Sequence, residues 1–204
     1  MYLDDLYKWV QTTGGAGKPF LITEVGAGAI YGYRTPAKVK WSEEYQVQAL
    51  EEQLGAILSY KDCSGVYIWQ FCDVRVTNDW WNTRPRTMNN KGIVDEYRRP
   101  KLSYETVKRE CAPLYISSIK AVNTDEKTSG VEIVIANKNA LPCYEAKGYH
   151  LAGFDGAGCL ISYTTLTPLK PGETQKIFLA DAQSQLARIA IQRPNGAESI
   201  SYFI

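Results

Sequence analysis

The chain has 204 residues, enough for one large domain or two small ones. Its 23 Lys and Arg against 22 Asp and Glu leave a net charge of +1, which argues against nucleic acid and against an acidic membrane surface as partners. No run is long and apolar enough to span a membrane, and the opening "MYLDDLYKWV" carries acids where a signal peptide has a basic segment.

Leu3, Leu6, Tyr7 and Val10 recur at helical spacing and predict an amphipathic helix over residues 2–12. "GGAGKP" (Gly14 to Pro19) stops it. "FLITE" (Phe20 to Glu24) comes next, with no polar/apolar alternation. Continuous apolar strands of this kind belong to parallel sheets covered on both faces. After a long loop, Ser42 caps a second helix over residues 42–60, with Glu43 and Glu44 in the first turn, where acids suit the helix dipole. Val47, Leu50, Leu54, Ile57 and Leu58 give this helix one apolar face. "SGVYIWQFCDV" is a second strand of the buried type. A loop from about Val74 to Asn90 leads to a third helix over residues 100–110, opened by Pro100. Helix, strand, helix, strand, helix with long loops after both strands is the pattern of a β/α barrel or doubly wound sheet, and such folds place their sites on those loops. Two strands cannot close a barrel, so this half reads as part of something larger.

After Pro113 the pattern changes. "LYISSIKAV", "GVEIVIANK", "YEAKGYHLAGF", "CLISYTTLTPL", "TQKIFLA", "ARIAIQ" and "SISYFI" are short runs rich in Ile, Val, Tyr and Thr, separated by turns such as "DEKTSG", "KPGE" and "RPNG". They predict an antiparallel β-sandwich of immunoglobulin type. The fold class is therefore α/β followed by all-β, divided into residues 1–112 and 113–204. Cys63, Cys72, Cys111, Cys143 and Cys159 are odd in number and lack metal-ligand spacing. They read as mostly buried, reduced thiols, leaving the compartment open with a lean to the cytoplasm. Neither a metal nor a cofactor is expected.

The first half carries a resemblance. "ITEVG" resembles the nucleophile motif of glycoside hydrolase family 2, in particular the β-glucuronidases, where it ends the seventh barrel strand. "WSEEYQ" (Trp41 to Gln46) is similar to the start of the helix after that strand, and "WQFCD" (Trp69 to Asp73) to the family's eighth strand. "NNKGI" (Asn89 to Ile93) looks like the segment holding the Asn-x-Lys pair of glucuronidases, and "RRPKLSYETVKRE" like the opening of the last barrel helix. Val25 stands where the family has an aromatic residue, and Asn90 where it has a lysine.

The resemblance implies the last two strands and helices of a (β/α)8 barrel, with a sandwich of the accessory kind behind it. It implies that Glu24 is the nucleophile of a retaining exo-β-glycosidase acting on β-D-glucuronides. Asn89 and Lys91 would hold the sugar's C6 carboxylate by an amide donor and a charge-assisted hydrogen bond. Trp69 is either a wall against the sugar face or a core tryptophan. Asp73 either positions a sugar hydroxyl or a loop, or is a plain strand-end acid. Trp80, Trp81, Tyr31 and Tyr33 either line an aglycone subsite or pack the two loops together. His150 has no expected catalytic part. The family's acid/base is a glutamate several strands before the nucleophile, and the 23 residues before Glu24 contain no glutamate. The chain thus reads as a C-terminal fragment, inactive alone, that self-associates through its incomplete barrel half. A β-galactosidase or another family 2 exo-glycosidase, and a non-catalytic glycan-binding or self-associating module, are the alternatives.

Overall fold

The computed structural model describes residues 2–76, 87–123, 129–180 and 186–204. It divides into two compact units, Met1–Glu110 and Cys111–Ile204.

In the first unit, α1 (Tyr2–Val10) ends in a wider turn over Gln11–Gly15, where Gly14 takes φ 95°. Strand β1 (Phe20–Val25) and strand β2 (Cys63–Ile68) pair in parallel, with helix α2 (Glu43–Ser59) between them in sequence. Tyr7 of α1 meets Phe20 edge-on at 5.5 Å and Tyr60 at 6.2 Å, and the Tyr60 hydroxyl donates to Asp4 Oδ1 at 2.9 Å. Burial, then the bond to Asp4, pushes the Tyr60 phenol up to about 12.

The apolar run of β1 predicts cover on both faces, and the structure covers one. Phe20 is buried, whereas Leu21, Tyr67 and Trp69 are 45%, 64% and 42% exposed. The register Leu21↔Gly65 puts those three on one face, which no described element covers. Helix α1 is likewise half bare: Leu6 and Trp9 are exposed and none of its residues is buried.

Ser42 caps α2 as predicted, its Oγ accepting from Tyr45 N at 3.1 Å. The inward face differs from the predicted one. It comprises Glu43, Gln46, Leu50, Leu54, Ile57 and Leu58, with Val47 only half-buried. The two-residue strands β3 (Val74–Arg75) and β4 (Met88–Asn89) pair antiparallel. Helix α3 (Leu102–Glu110) starts two residues later than Pro100 predicts. Pro100 bridges to Val94, and Lys101 N donates to Ile93 O at 3.0 Å, so both residues are held extended.

The second unit contains all seven predicted strands: β5 (Leu114–Asn123), β6 (Ser129–Asn137), β7 (His150–Phe154), β8 (Leu160–Thr165), β9 (Thr174–Ala180), β10 (Arg188–Gln192) and β11 (Glu198–Phe203). They form two antiparallel sheets, ordered β5-β6-β9 and β11-β10-β7-β8. Both sheets feed one apolar cluster, with Leu114, Ile133 and Ile135 from the first and Leu151, Ile189 and Ile191 from the second. The "RPNG" turn closes the β10–β11 hairpin, with Arg193 N on Ala197 O at 2.8 Å. None of the five cysteines forms a disulfide, and only Cys63 is buried. Cys143 and Cys159 are exposed, contrary to the expectation of buried thiols, because both lie on turns beyond the sheets.

Candidate active site

Parallel pairing places the carboxyl ends of β1 and β2 at the same edge. Between Ile22↔Val66 and Val25↔Ile68 the register shifts: β1 advances three residues while β2 advances two. An extra residue in a ladder re-aims the side chains around it. Glu24 sits in this shift, exposed at the end of its strand.

The chain leaving Glu24 lies directly on β2. A Cβ added at Gly26 would come 2.2 Å from the Trp69 carbonyl oxygen, closer than any side chain tolerates. Trp69 N donates to Val25 O at 2.7 Å. One residue on, Gln70 N donates to Lys91 O at 3.0 Å, and Ile93 N returns to Gln70 O at 3.0 Å. Three segments are thus stitched side by side: the end of β1 with Glu24, the end of β2 with Trp69, and the stretch Asn89–Ile93. The Trp69–Gln70 peptide is cis. Asn89 is buried and its Oδ1 accepts from Lys91 N at 3.3 Å, while Lys91 is half-buried. An open groove of about 640 Å³ runs along the free edge of β1, walled by Leu6, Val10 and Pro19 to Glu24.

Of the sequence-predicted residues, Glu24, Trp69, Asn89 and Lys91 therefore come to one end of the parallel pair. Asp73 does not offer itself there. Its side chain has no exposed surface, and Oδ1 accepts from Gly92 N and from Lys101 Nζ, each at 2.8 Å. Of the readings the sequence left open, the geometry fits the loop-holding one. Burial pushes the Asp73 carboxyl up and the Lys101 ammonium down, each opposed by the partner's charge. Tyr31 also packs a loop, with the Arg99 guanidinium 4.2 Å from its ring centre. Asp95 holds Arg99 in turn, Oδ2 accepting from Nε at 2.6 Å. Burial raises the Asp95 carboxyl, but Arg99 and the N–H groups of Arg99 and Tyr97 outweigh it and hold it below its usual value. Tyr33 is 42% exposed. Trp80 and Trp81 lie outside the described residues.

Sequence reasoning missed the polar residues that carry these loops. Glu43 is buried: its Oε1 accepts from Gly32 N and its Oε2 from Leu102 N, both at 2.7 Å, which caps α3 from another helix. Gln46 Nε2 donates to Ala27 O at 2.8 Å and to Gly92 O at 3.1 Å, and its Oε1 accepts from Ser103 Oγ at 2.7 Å. One amide side chain thus joins the loop after Glu24, the Asn89–Ile93 stretch and α3. The available signal was the spacing of Glu43, Gln46 and Leu50 along a single helical face.

The arrangement can present one solvent-facing carboxylate, an aromatic wall and a lysine at the end of two parallel strands. A solved GH2 β-galacturonidase from Eisenbergiella tayi, bound to galacturonate, is 75% identical over 53% of this chain and 20% of its own, with a TM-score of 0.51. The chain is thus similar to a glycoside hydrolase of family 2 over about half of its length. Two curated proteins that match the chain carry glycosidase names. A β-mannosidase B from Thermothelomyces thermophilus is 37% identical over 86 residues, 37% of this chain and 9% of its own length. A β-glucuronidase from Paenibacillus borealis is 31% identical over 85 residues, 42% of this chain and 14% of its own. The chain thus spans a small share of the length of these proteins. No protein-family model matches it.

Proposed function

We propose that this chain supplies the nucleophile and the acid-recognising side of a retaining exo-β-glycosidase of family 2 that removes β-linked hexuronic acids. Residues 1–110 are read as the last two strands and helices of a (β/α)8 barrel, and residues 111–204 as an immunoglobulin-like sandwich. The observation that carries the proposal is the stitching of Val25, Trp69–Gln70 and Lys91 by backbone hydrogen bonds, which keeps Glu24 and Lys91 at one strand end.

In this reading an Oε of Glu24 attacks the anomeric carbon while a carboxylic acid from elsewhere in the longer enzyme protonates the leaving oxygen. Water then hydrolyses the glycosyl ester. The two carboxyl groups of a retaining enzyme stand about 5–5.5 Å apart. Lys91 and Asn89 take the C6 carboxylate, and Trp69 lies against the ring. The 75% identity to an enzyme bound to galacturonate favours the galacturonide. The β-D-glucuronide, its C4 epimer, is the second reading, supported by the curated glucuronidase relative.

A 2-fluoro-β-galacturonide with a good leaving group tests the reading in the full-length enzyme. It should trap a glycosyl ester on Glu24, identified by peptide mass spectrometry. An ester on any other acid would overturn the assignment. The chain alone, with no glutamate before Glu24 to serve as the acid, should release no nitrophenol from either uronide.

A further inference from the structure

Lys101 heads the wholly buried side chains by volume. An ammonium ion in that position is costly unless its donors are all committed. Its three partners are Ala29 O at 2.6 Å, Asp73 Oδ1 at 2.8 Å and Asn90 O at 3.3 Å. Each acceptor belongs to a different segment of the candidate site. Ala29 lies on the loop that leaves Glu24, Asp73 on the chain that leaves Trp69, and Asn90 between Asn89 and Lys91. Further bonds close the knot: Ala29 N also donates to Asn90 O at 2.8 Å, and Gly92 N to Asp73 Oδ1. A Cβ at Gly92 would lie 2.3 Å from Asp73 N, so the backbone packs against the pair with no room to spare.

An apolar pair of similar size often holds a fold as well as a buried ion pair does. Packing alone therefore does not call for an ammonium here. What the ammonium adds is direction, since it fixes two backbone carbonyls and one carboxylate at hydrogen-bond distance from a single point. We infer that Lys101, paired with Asp73, is a positioning residue that sets the Asn89–Lys91 segment against the Glu24 loop and so determines preference for a carboxylated sugar over its neutral counterpart. This rests on the reading of Asn89 and Lys91 as the residues that hold the C6 carboxylate.

The test uses the full-length enzyme with nitrophenyl β-galacturonide and β-galactoside, and compares the ratio of their kcat/KM values. Lys91→Ala is the control and should lower the uronide-to-hexoside ratio by about tenfold or more, the size of one charge-assisted hydrogen bond. An unchanged ratio there would remove the carboxylate reading and this inference with it. The decisive variant is Lys101→Met with Asp73→Leu, which replaces the ion pair by apolar groups. It strands Gly92 N and the Ala29 carbonyl, so it should melt below the parent yet stay folded, and it should lower the ratio at least about fivefold, mainly through a higher KM for the uronide. A folded double variant with the parent ratio, beside a Lys91→Ala that has lost it, overturns the positioning role and leaves the carboxylate reading intact. Should the double variant not fold, Lys101→Gln decides, because it keeps a buried polar side chain of similar shape whose amide has two N–H donors and cannot hold all three acceptors. A fall in its ratio supports the inference, and an unchanged ratio overturns it. Failure of both variants to fold would show a purely structural pair and also overturn it.

Discussion

The two units solve burial in opposite ways. Residues 111–204 close a single apolar cluster between two sheets, and their buried polar side chains among the described residues are Asn137 and Ser199. The described residues of the first unit leave one face of β1 and β2 bare and concentrate buried polar groups instead: Glu43, Gln46, Asp73, Asn90, Asp95 and Lys101. Apolar burial is non-directional and rewards any tight filling, whereas hydrogen bonds to named backbone atoms fix where a loop stands. The first unit thus uses its interior to hold loops in place, and the second uses it for cohesion.

Five changes break or sharpen this contrast. The largest effect is expected for Glu24→Gln in the full-length enzyme, which touches neither interior. Turnover should fall by about 10⁴-fold or more while the melting temperature is unchanged. Retained turnover would dismiss Glu24 as the nucleophile. Next, Ile189→Ala opens a void in the closed core of the second unit, where the side chain is wholly buried. It should cost about 2–5 kcal/mol in urea unfolding of residues 111–204, which should fold on their own. Leu21→Ala on the bare face of β1 should cost far less, and equal costs would show that this face is covered in solution. A smaller effect is expected for Gln46→Leu, which strands the Ala27 and Gly92 carbonyls and the Ser103 hydroxyl. The loss should be about 1–3 kcal/mol, with faster amide exchange at residues 89–93. No change in exchange there would mean that Gln46 does not hold that stretch.

The smallest effect concerns acid. The Arg34 guanidinium, then the Thr35 N–H, holds the Glu44 carboxyl at about 2, against an ordinary value of 4.5. A carboxylate depressed by folding stabilises above its unfolded pKa, and that contribution is lost as pH falls through the folded value. The first unit should therefore lose a little stability between pH 4.5 and pH 2, a slope that Glu44→Gln flattens. Melting curves across that range decide it, and an identical acid limb in parent and variant would show that Glu44 titrates alike folded and unfolded.

Much of this was legible in the sequence, for identifiable reasons. Ser42 announces its helix because a hydroxyl before two acids has few other uses. The strands of the second unit are legible because Ile, Val and Tyr runs between Pro-Gly and Asn-Gly turns leave little choice. The two parallel strands and the residues at their ends were readable from short motifs. The interior of the first unit was not legible. Gln46 and Lys101 are polar, and a periodicity search assigns polar residues to solvent. Val47 was preferred to Gln46 on hydrophobicity alone, although position 46 falls on the face shared with Leu50. The role of Asp73 could not be read because Lys101 stands 28 residues away. The bare face of β1 was hidden by its own apolar composition, which reads the same whether or not a neighbour covers it.

The span between Lys101 and Ala29 has a consequence for synthesis. The ammonium group that pins the loop behind Glu24 enters the chain 72 residues after the carbonyl it binds. As a nascent chain leaves the ribosome, β1, α2 and β2 can pair while that loop still lacks its anchor. Only the arrival of Lys101, just ahead of α3, completes the set of bonds, and at that point none of the second unit has emerged. The loop behind Glu24 is therefore anchored by the residue that leads into the last helix of its unit, before the all-β unit has emerged.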